Sequence, residues 1–190
     1  MDAAEWDDAY AATERVWSVE PNRWLVEAVA DLAPGRALDL ACGEGRNAVW
    51  LHQQGWAATA VDFSDVGVAK GRAADPDVTW VVADVRSWVP PAESFDLVAI
   101  VYLHLPIDER RVVLAGAAAG LAPGGSLVVI GHDARNLTDG VGGPQDPAIL
   151  LDPDEVVAEL GDLEVVRAQT VERPVGADVA LDTMVVARRR

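Results

Sequence analysis

The stretch Ala37-Leu-Asp-Leu-Ala-Cys-Gly-Glu-Gly-Arg-Asn-Ala-Val-Trp-Leu51 decides the fold. Ala37, Leu38, Leu40 and Ala41 make a short, almost uninterrupted apolar run, the pattern of a parallel strand covered on both faces. Gly43 and Gly45 supply the permissive backbone of a tight turn. From Arg46 to Gln54 the chain is rich in helix formers, and Ala48 and Leu51 share a face that Val49 and Trp50 widen. Strand, glycine turn and helix, in that order, put free backbone N–H groups at the carboxyl edge of a sheet, where a ligand can meet them.

On the N-terminal side, residues 3–14 read as a short helix with Trp6 and Tyr10 four apart on one face. Residues 17–22 break the pattern. A second helix starts at Arg23, with Trp24, Leu25, Ala28, Val29 and Leu32 at helical spacing, and Pro34-Gly35 stops it. On the C-terminal side, strands are expected over 57–61, 78–83, 95–101 and 126–131. Helices are expected over 66–74 and from about 108 to 120. Residues 122–125, Ala-Pro-Gly-Gly, read as a turn. Residues 133–151 lack periodicity, and a segment of this kind is either a lid or disordered. Asp152 and Pro153 open another helix. Strands over 163–173 and 179–188 flank a short connection, which makes them an antiparallel pair. The expected fold class is α/β: a doubly wound, mostly parallel seven-stranded sheet with a C-terminal antiparallel hairpin.

The chain has 190 residues, 51% of them hydrophobic, enough for one domain with a full core. The formal net charge of -16 repels phosphates and argues against a nucleic-acid partner. Arg188, Arg189 and Arg190 read as a solvated basic tail. There is no apolar run of the roughly 20 residues that span a membrane, and the acidic first residues lack a signal-peptide core. No membrane partner and a cytoplasmic location are therefore expected. The single Cys42 excludes an internal disulfide; it is either a small buried filler or a reactive thiol. The three histidines lack metal-ligand spacing, and no metal is expected.

Three acids stand where strands should stop: Asp39, Asp62 and Asp84. Asp62 lies about 20 residues past the turn, where an acid can accept from ribose hydroxyls. Asp84 could accept from an adenine amino group. Gly43-Glu-Gly-Arg-Asn-Ala48 also fits a loose dinucleotide fingerprint. A carboxylate as close as Asp39, however, suits a cationic or amine end better than a pyrophosphate.

Leu38-Asp-Leu-Ala-Cys-Gly-Glu-Gly-Arg-Asn47 resembles the first motif of class I S-adenosylmethionine-dependent methyltransferases. Within them, Gly43–Ala48 is similar to the small-molecule group that includes the tellurite-resistance and thiopurine enzymes. Ala60-Val-Asp-Phe-Ser64, Val81-Val-Ala-Asp84, Phe95-Asp-Leu-Val98 and Leu121-Ala-Pro-Gly-Gly-Ser-Leu127 resemble the later motifs in order. One departure is Ala41, where many members carry a glycine; as a small residue it should matter little. The resemblance implies a Rossmann-like core over 34–190 and a helical cap over the cofactor site from 1–33, together one domain of 1–190. It implies S-adenosyl-L-methionine as cofactor. Gly43 and Gly45 would approach its methionine portion and Asp39 would organise that end. Asp62, with Phe63 beside it, would hold the ribose, and Asp84 with Val85 would frame the adenine. Trp17 and Arg46 would contact the carboxylate end, although Trp17 reads equally as core.

Methyl transfer to a small molecule requires a nucleophile in line with the leaving sulfur. Tyr102, His104, His132 and Asp133 follow the fourth and fifth strands. His104 and His132 are the candidate bases, or else they hydrogen-bond the backbone. Tyr102 is a candidate substrate contact. Arg135 could bind an anionic group at the start of a segment, 136–151, that covers the substrate. Trp50, Trp56, Trp80 and Trp88 read as packing residues. The alternatives are a catalytically silent cofactor-binding module and an NAD-dependent oxidoreductase. The chain is expected to act as a monomer or homodimer.

Overall fold

A computed structural model describes residues 2–190; residue 1, the first of the expected cap, lies outside the described residues. Two helices come first, α1 (Ala3–Ala11) and α2 (Arg23–Val29). Asp2 caps α1 with a capping box to Glu5, and the Asn22 side chain caps α2 through the Trp24 and Leu25 N–H groups. Then strands and helices alternate, except that β3 leads directly to β4: β1 (Arg36–Leu40), α3 (Arg46–Gln53), β2 (Ala57–Asp62), α4 (Asp65–Ala74), β3 (Thr79–Val82), β4 (Phe95–Val101), α5 (Ile107–Gly120) and β5 (Leu121–His132). After α6 (Asn136–Asp139) and a 3₁₀ turn at Pro147–Ile149 come α7 (Pro153–Glu159), β6 (Glu164–Val175) and β7 (Asp178–Arg188).

The seven strands form one sheet in the order β3-β2-β1-β4-β5-β7-β6. β1 to β5 run parallel, and β7 inserts antiparallel between β5 and β6. The strand order reverses between β1 and β4, so the crevice for a ligand opens at the carboxyl ends of these two strands. Leu38, Ala37, Leu97, Val98 and Ala99 on them are fully buried, which fits the apolar runs read from the sequence. Both sheet faces are covered. Leu25, Leu51 and Met184 belong to one core cluster, and Leu114, Val156 and Leu127 to the other.

Three local differences from the sequence reading have physical causes. The Ala-Pro-Gly-Gly stretch at 122–125 is not a free turn before β5 but an irregularity within it: Leu121 pairs with Phe95 and Ser126 with Leu97. The hairpin connection shrinks to Gly176-Ala177, because Gly176 takes φ 63° and lets Val175 and Asp178 pair. Residues 133–151 are ordered without periodicity. A bridge between Asp133 and Leu151 closes the segment. The Asn136 side chain ties it to the Leu181 N–H and the Gly142 carbonyl. Among the described residues no helix is long and apolar enough to cross a membrane.

Candidate active site

A cavity of about 440 Å³ lies at the carboxyl edge where the strand order reverses. Its floor is the turn after β1, which includes Ala41, Cys42, Gly43 and Arg46. Asp62 and Phe63 at the end of β2, Asp84 and Val85 after β3, and Tyr102 to Leu105 after β4 form its sides. Trp6, Tyr10 and Trp17 cover it from the N-terminal segment, and Pro144 and Ile149 reach it from the ordered segment after β5.

The turn is held by an acid from the neighbouring strand. Asp62 Oδ2 accepts the Gly43 N–H at 2.8 Å and Oδ1 accepts the Ser64 N–H at 2.9 Å. Burial pushes the Asp62 carboxyl up despite these donors. Gly43 and Gly45 both have positive φ, 56° and 76°, as read from the sequence. Protein contacts also fill the space beside them: a Cβ at Gly43 would meet the Tyr10 hydroxyl, and one at Gly45 would strike the Trp80 ring. Ala41 also has positive φ, 58°, so the departure from glycine strains the backbone rather than being neutral.

Asp39 lies under the turn, fully buried, rather than on the cavity wall. Its Oδ2 has no hydrogen-bond partner. Burial pushes its carboxyl up to about 7, against the pull of the Ala48 backbone N–H and the Arg46 guanidinium. Arg46 faces the cavity, and its Nη1 donates to the Ser18 hydroxyl at 3.0 Å. Burial lowers its own value. Burial also pushes the Cys42 thiol up, which fits a filler rather than a reactive thiol. Asp84 accepts from the Arg86 side chain, with Nη2 at 2.6 Å, and from its backbone N–H at 2.9 Å, and these hold its carboxyl below the ordinary range.

The cap is latched by residues that the sequence reading missed. Glu44, the middle residue of the turn, is buried and accepts the Val16 N–H at 3.0 Å, the Trp17 N–H at 3.2 Å and Lys70 Nζ at 3.2 Å. Lys70 also donates to the carbonyl of Tyr10 in the last turn of α1 and to those of Thr13 and Glu14 just past it. Asp7 accepts from the Ser64 hydroxyl and the Val66 N–H. Trp17 is 45% exposed and lines the cavity, so it is not core.

At the other end, Tyr102 carries a left-handed backbone, φ 60°, and its hydroxyl donates to Asp182 at 2.7 Å. The His104 and His132 rings stack 5.2 Å apart. Burial pulls His104 down to about 4, with His132 adding to the effect, and its Nε2 accepts the His132 backbone N–H at 3.2 Å. His104 thus lines the cavity with that lone pair already engaged. The Asp133 carboxylate is turned into the core, accepting from Thr170 and Thr183. Arg135 does not reach the cavity; it is 62% exposed beside Asp139. Arg173 and Asp182, on β6 and β7, escaped the sequence reading. The available signal was a lone acid in the apolar run of residues 179–186.

Residues 37–125 match the family described as a methyltransferase domain. Residues 37–125 are thus similar to a methyltransferase domain. The trans-aconitate 2-methyltransferase of Rhizobium meliloti (strain 1021) is 33% identical over 127 residues, covering 65% of this chain and 49% of the relative. The chain spans about half the length of the curated relatives it matches. Among solved structures, the N-methyltransferase NodS from Bradyrhizobium japonicum WM9, in complex with S-adenosyl-L-homocysteine, superposes with a TM-score of 0.75 at 16% identity. It covers 99% of both chains. TehB from Haemophilus influenzae superposes with a TM-score of 0.74 at 17% identity, covering 97% of this chain and 67% of that one. The chain thus shares its fold with TehB and NodS.

Proposed function

We propose that the chain transfers a methyl group from S-adenosylmethionine to a small-molecule acceptor. The observation that carries this reading is the pairing of the Gly43 turn with Asp62 on the floor of a capped cavity. The cavity volume falls within the roughly 300–1,000 Å³ of small-molecule sites. The unpartnered, fully buried Asp39 Oδ2 fits a bound water beneath the turn at that end. The cofactor supplies an electrophilic methyl carbon on a sulfonium. Asp62, with Phe63 beside it, would orient the ribose, Asp84 and Val85 the adenine, and Arg46 with Trp17 the carboxylate end. Gly43 and Gly45 would shape the turn against the methionine portion, with Asp39 acting from beneath that turn. Tyr102 and His104 face the acceptor end of the cavity, with His132 behind them.

On this reading residues 1–190 act as one domain, with 1–33 as the cap and 34–190 as the Rossmann-like core. A cytoplasmic location and a monomeric or homodimeric state belong to the same proposal. Small-molecule acceptors are named for the similar trans-aconitate and demethylmenaquinone methyltransferases, which supports that acceptor class.

Calorimetry with S-adenosylmethionine, S-adenosylhomocysteine and NAD tests the reading. Binding of the first two is expected, and preferential binding of NAD would overturn it. Turnover is then sought with labelled cofactor across thiols, amines, phenols and oxyanions; binding without turnover would favour the silent module. Replacing Asp62 by Ala should weaken cofactor binding by about 1–3 kcal/mol, the scale of lost charge-assisted hydrogen bonds. Unchanged affinity would remove the ribose assignment.

A further inference from the structure

Asp182 is a buried carboxylate at the acceptor end that the cofactor assignment leaves unused. It lies on β7, paired in register with His132 at the end of β5, and its side chain is fully buried. Its Oδ2 accepts from the Tyr102 hydroxyl at 2.7 Å and from Arg173 Nε at 2.8 Å. Its Oδ1 has a long contact with Arg173 Nη2 at 3.4 Å and faces His132 Nδ1 at 3.4 Å. That nitrogen is buried and has no hydrogen-bond partner of good geometry. Burial pushes the Asp182 carboxyl up, but the His132, Arg173 and Tyr102 side chains outweigh it and hold the group below its ordinary value. An ionised carboxylate only accepts hydrogen bonds. The proton of a neutral His132 ring therefore belongs on Nδ1, which leaves the lone pair on Nε2. Among the described residues, no hydrogen bond is made to Nε2. His104, by contrast, uses its Nε2 to accept the His132 backbone N–H.

We propose that Asp182 is a positioning residue that fixes His132 as the proton acceptor for methylation of an O–H or N–H nucleophile. This rests on the methyl-transfer reading above. The acceptor's lone pair forms the bond to the methyl carbon. The carbon–sulfur bond breaks with its electron pair left on sulfur. The acceptor's proton is relayed by water past the cavity wall to His132 Nε2, and then to solvent. Asp182 stabilises the resulting imidazolium. His132 stands one ring behind the cavity wall, with ring centroids 4.9 Å from Tyr102 and 5.2 Å from His104. An acceptor that arrives as an anion has no use for this pair, so its presence points to a protic acceptor.

The full chain labelled with ¹⁵N-histidine tests this by NMR of the ring nitrogens, with His132→Gln to assign the signals. The neutral His132 ring is expected with its proton on Nδ1. In Asp182→Asn the proton should shift toward Nε2, the form an unconstrained histidine side chain favours. Diethyl pyrocarbonate, which acylates the nitrogen bearing the lone pair, should label His132 several-fold more slowly in that variant, mapped by mass spectrometry. A wild-type ring protonated on Nε2 overturns the proposal whether or not the variant folds. So does an unchanged tautomer and reactivity in a variant whose circular dichroism is native. Calorimetry with S-adenosylmethionine runs alongside: lost cofactor binding with the expected tautomer defeats the methyl-transfer reading and leaves the pair, and the reverse defeats the pair alone.

Discussion

Ala41 adopts a left-handed backbone, φ 58°, one residue past the end of β1. For a residue with a Cβ that conformation costs about 1–2 kcal/mol. Glycine would remove the strain but add about 0.4–1 kcal/mol of unfolded-chain entropy. Ala41→Gly should therefore stabilise the fold by about 1 kcal/mol or less, read as a higher urea midpoint at unchanged slope. Asp39 makes the sharper prediction. Its folded value of about 7 stands above that of an unfolded aspartate, so the native state binds the extra proton between the two. Stability from this group is present at low pH and is lost as pH rises from about 4 through about 7. Asp39→Asn should gain stability relative to the parent between about pH 5 and pH 8, measured by urea unfolding at each pH. A constant difference would show that Asp39 is ionised throughout. Asp39 and Asp62 were legible because each follows an apolar run and flanks a glycine turn. Asp182 was not, because a carboxylate in mid-strand with no glycine turn beside it declares its partners only once Tyr102, His132 and Arg173 are brought to it from three other strand ends.

At the scale of elements, β1, the turn and α3 fall where the sequence put them, since an apolar run, two glycines and a helix-forming run each act locally. The α1 end does not: the expected helix to residue 14 stops at Ala11 because Lys70 Nζ collects the carbonyls of Tyr10, Thr13 and Glu14. That tertiary contact has no signature in the segment itself. The ordered stretch 133–151 is the same case, fixed by Asn136 and the Asp133–Leu151 bridge rather than by any period. Lys70→Met should loosen the cap by about 1–3 kcal/mol, the scale of hydrogen bonds to a charged group. Hydrogen exchange at the Val16 and Trp17 amides should speed up while the β1 and β4 amides keep their protection. Uniform acceleration would instead mean that Lys70 supports the whole fold.

Across the whole molecule the net charge of -16 opposes compaction. Added salt screens that repulsion, so the thermal midpoint should rise from about 10 to about 200 mM NaCl, where the Debye length shortens from roughly 30 Å to under 10 Å. A falling midpoint would mean that the ion pairs, such as Arg110 with Glu159, outweigh the net repulsion. The insertion of β7 between β5 and β6 has a further consequence, in the order of assembly. The floor of the cavity joins Gly43 to Asp62, 19 residues apart, whereas Tyr102 must find Asp182 across 80 residues. Closing the longer loop carries the larger entropy, and the antiparallel strand must enter beside β5 before the contact can form. The half of the cavity that would seat the cofactor is built from near neighbours, and the half that would receive the acceptor waits for the most distant strand to dock.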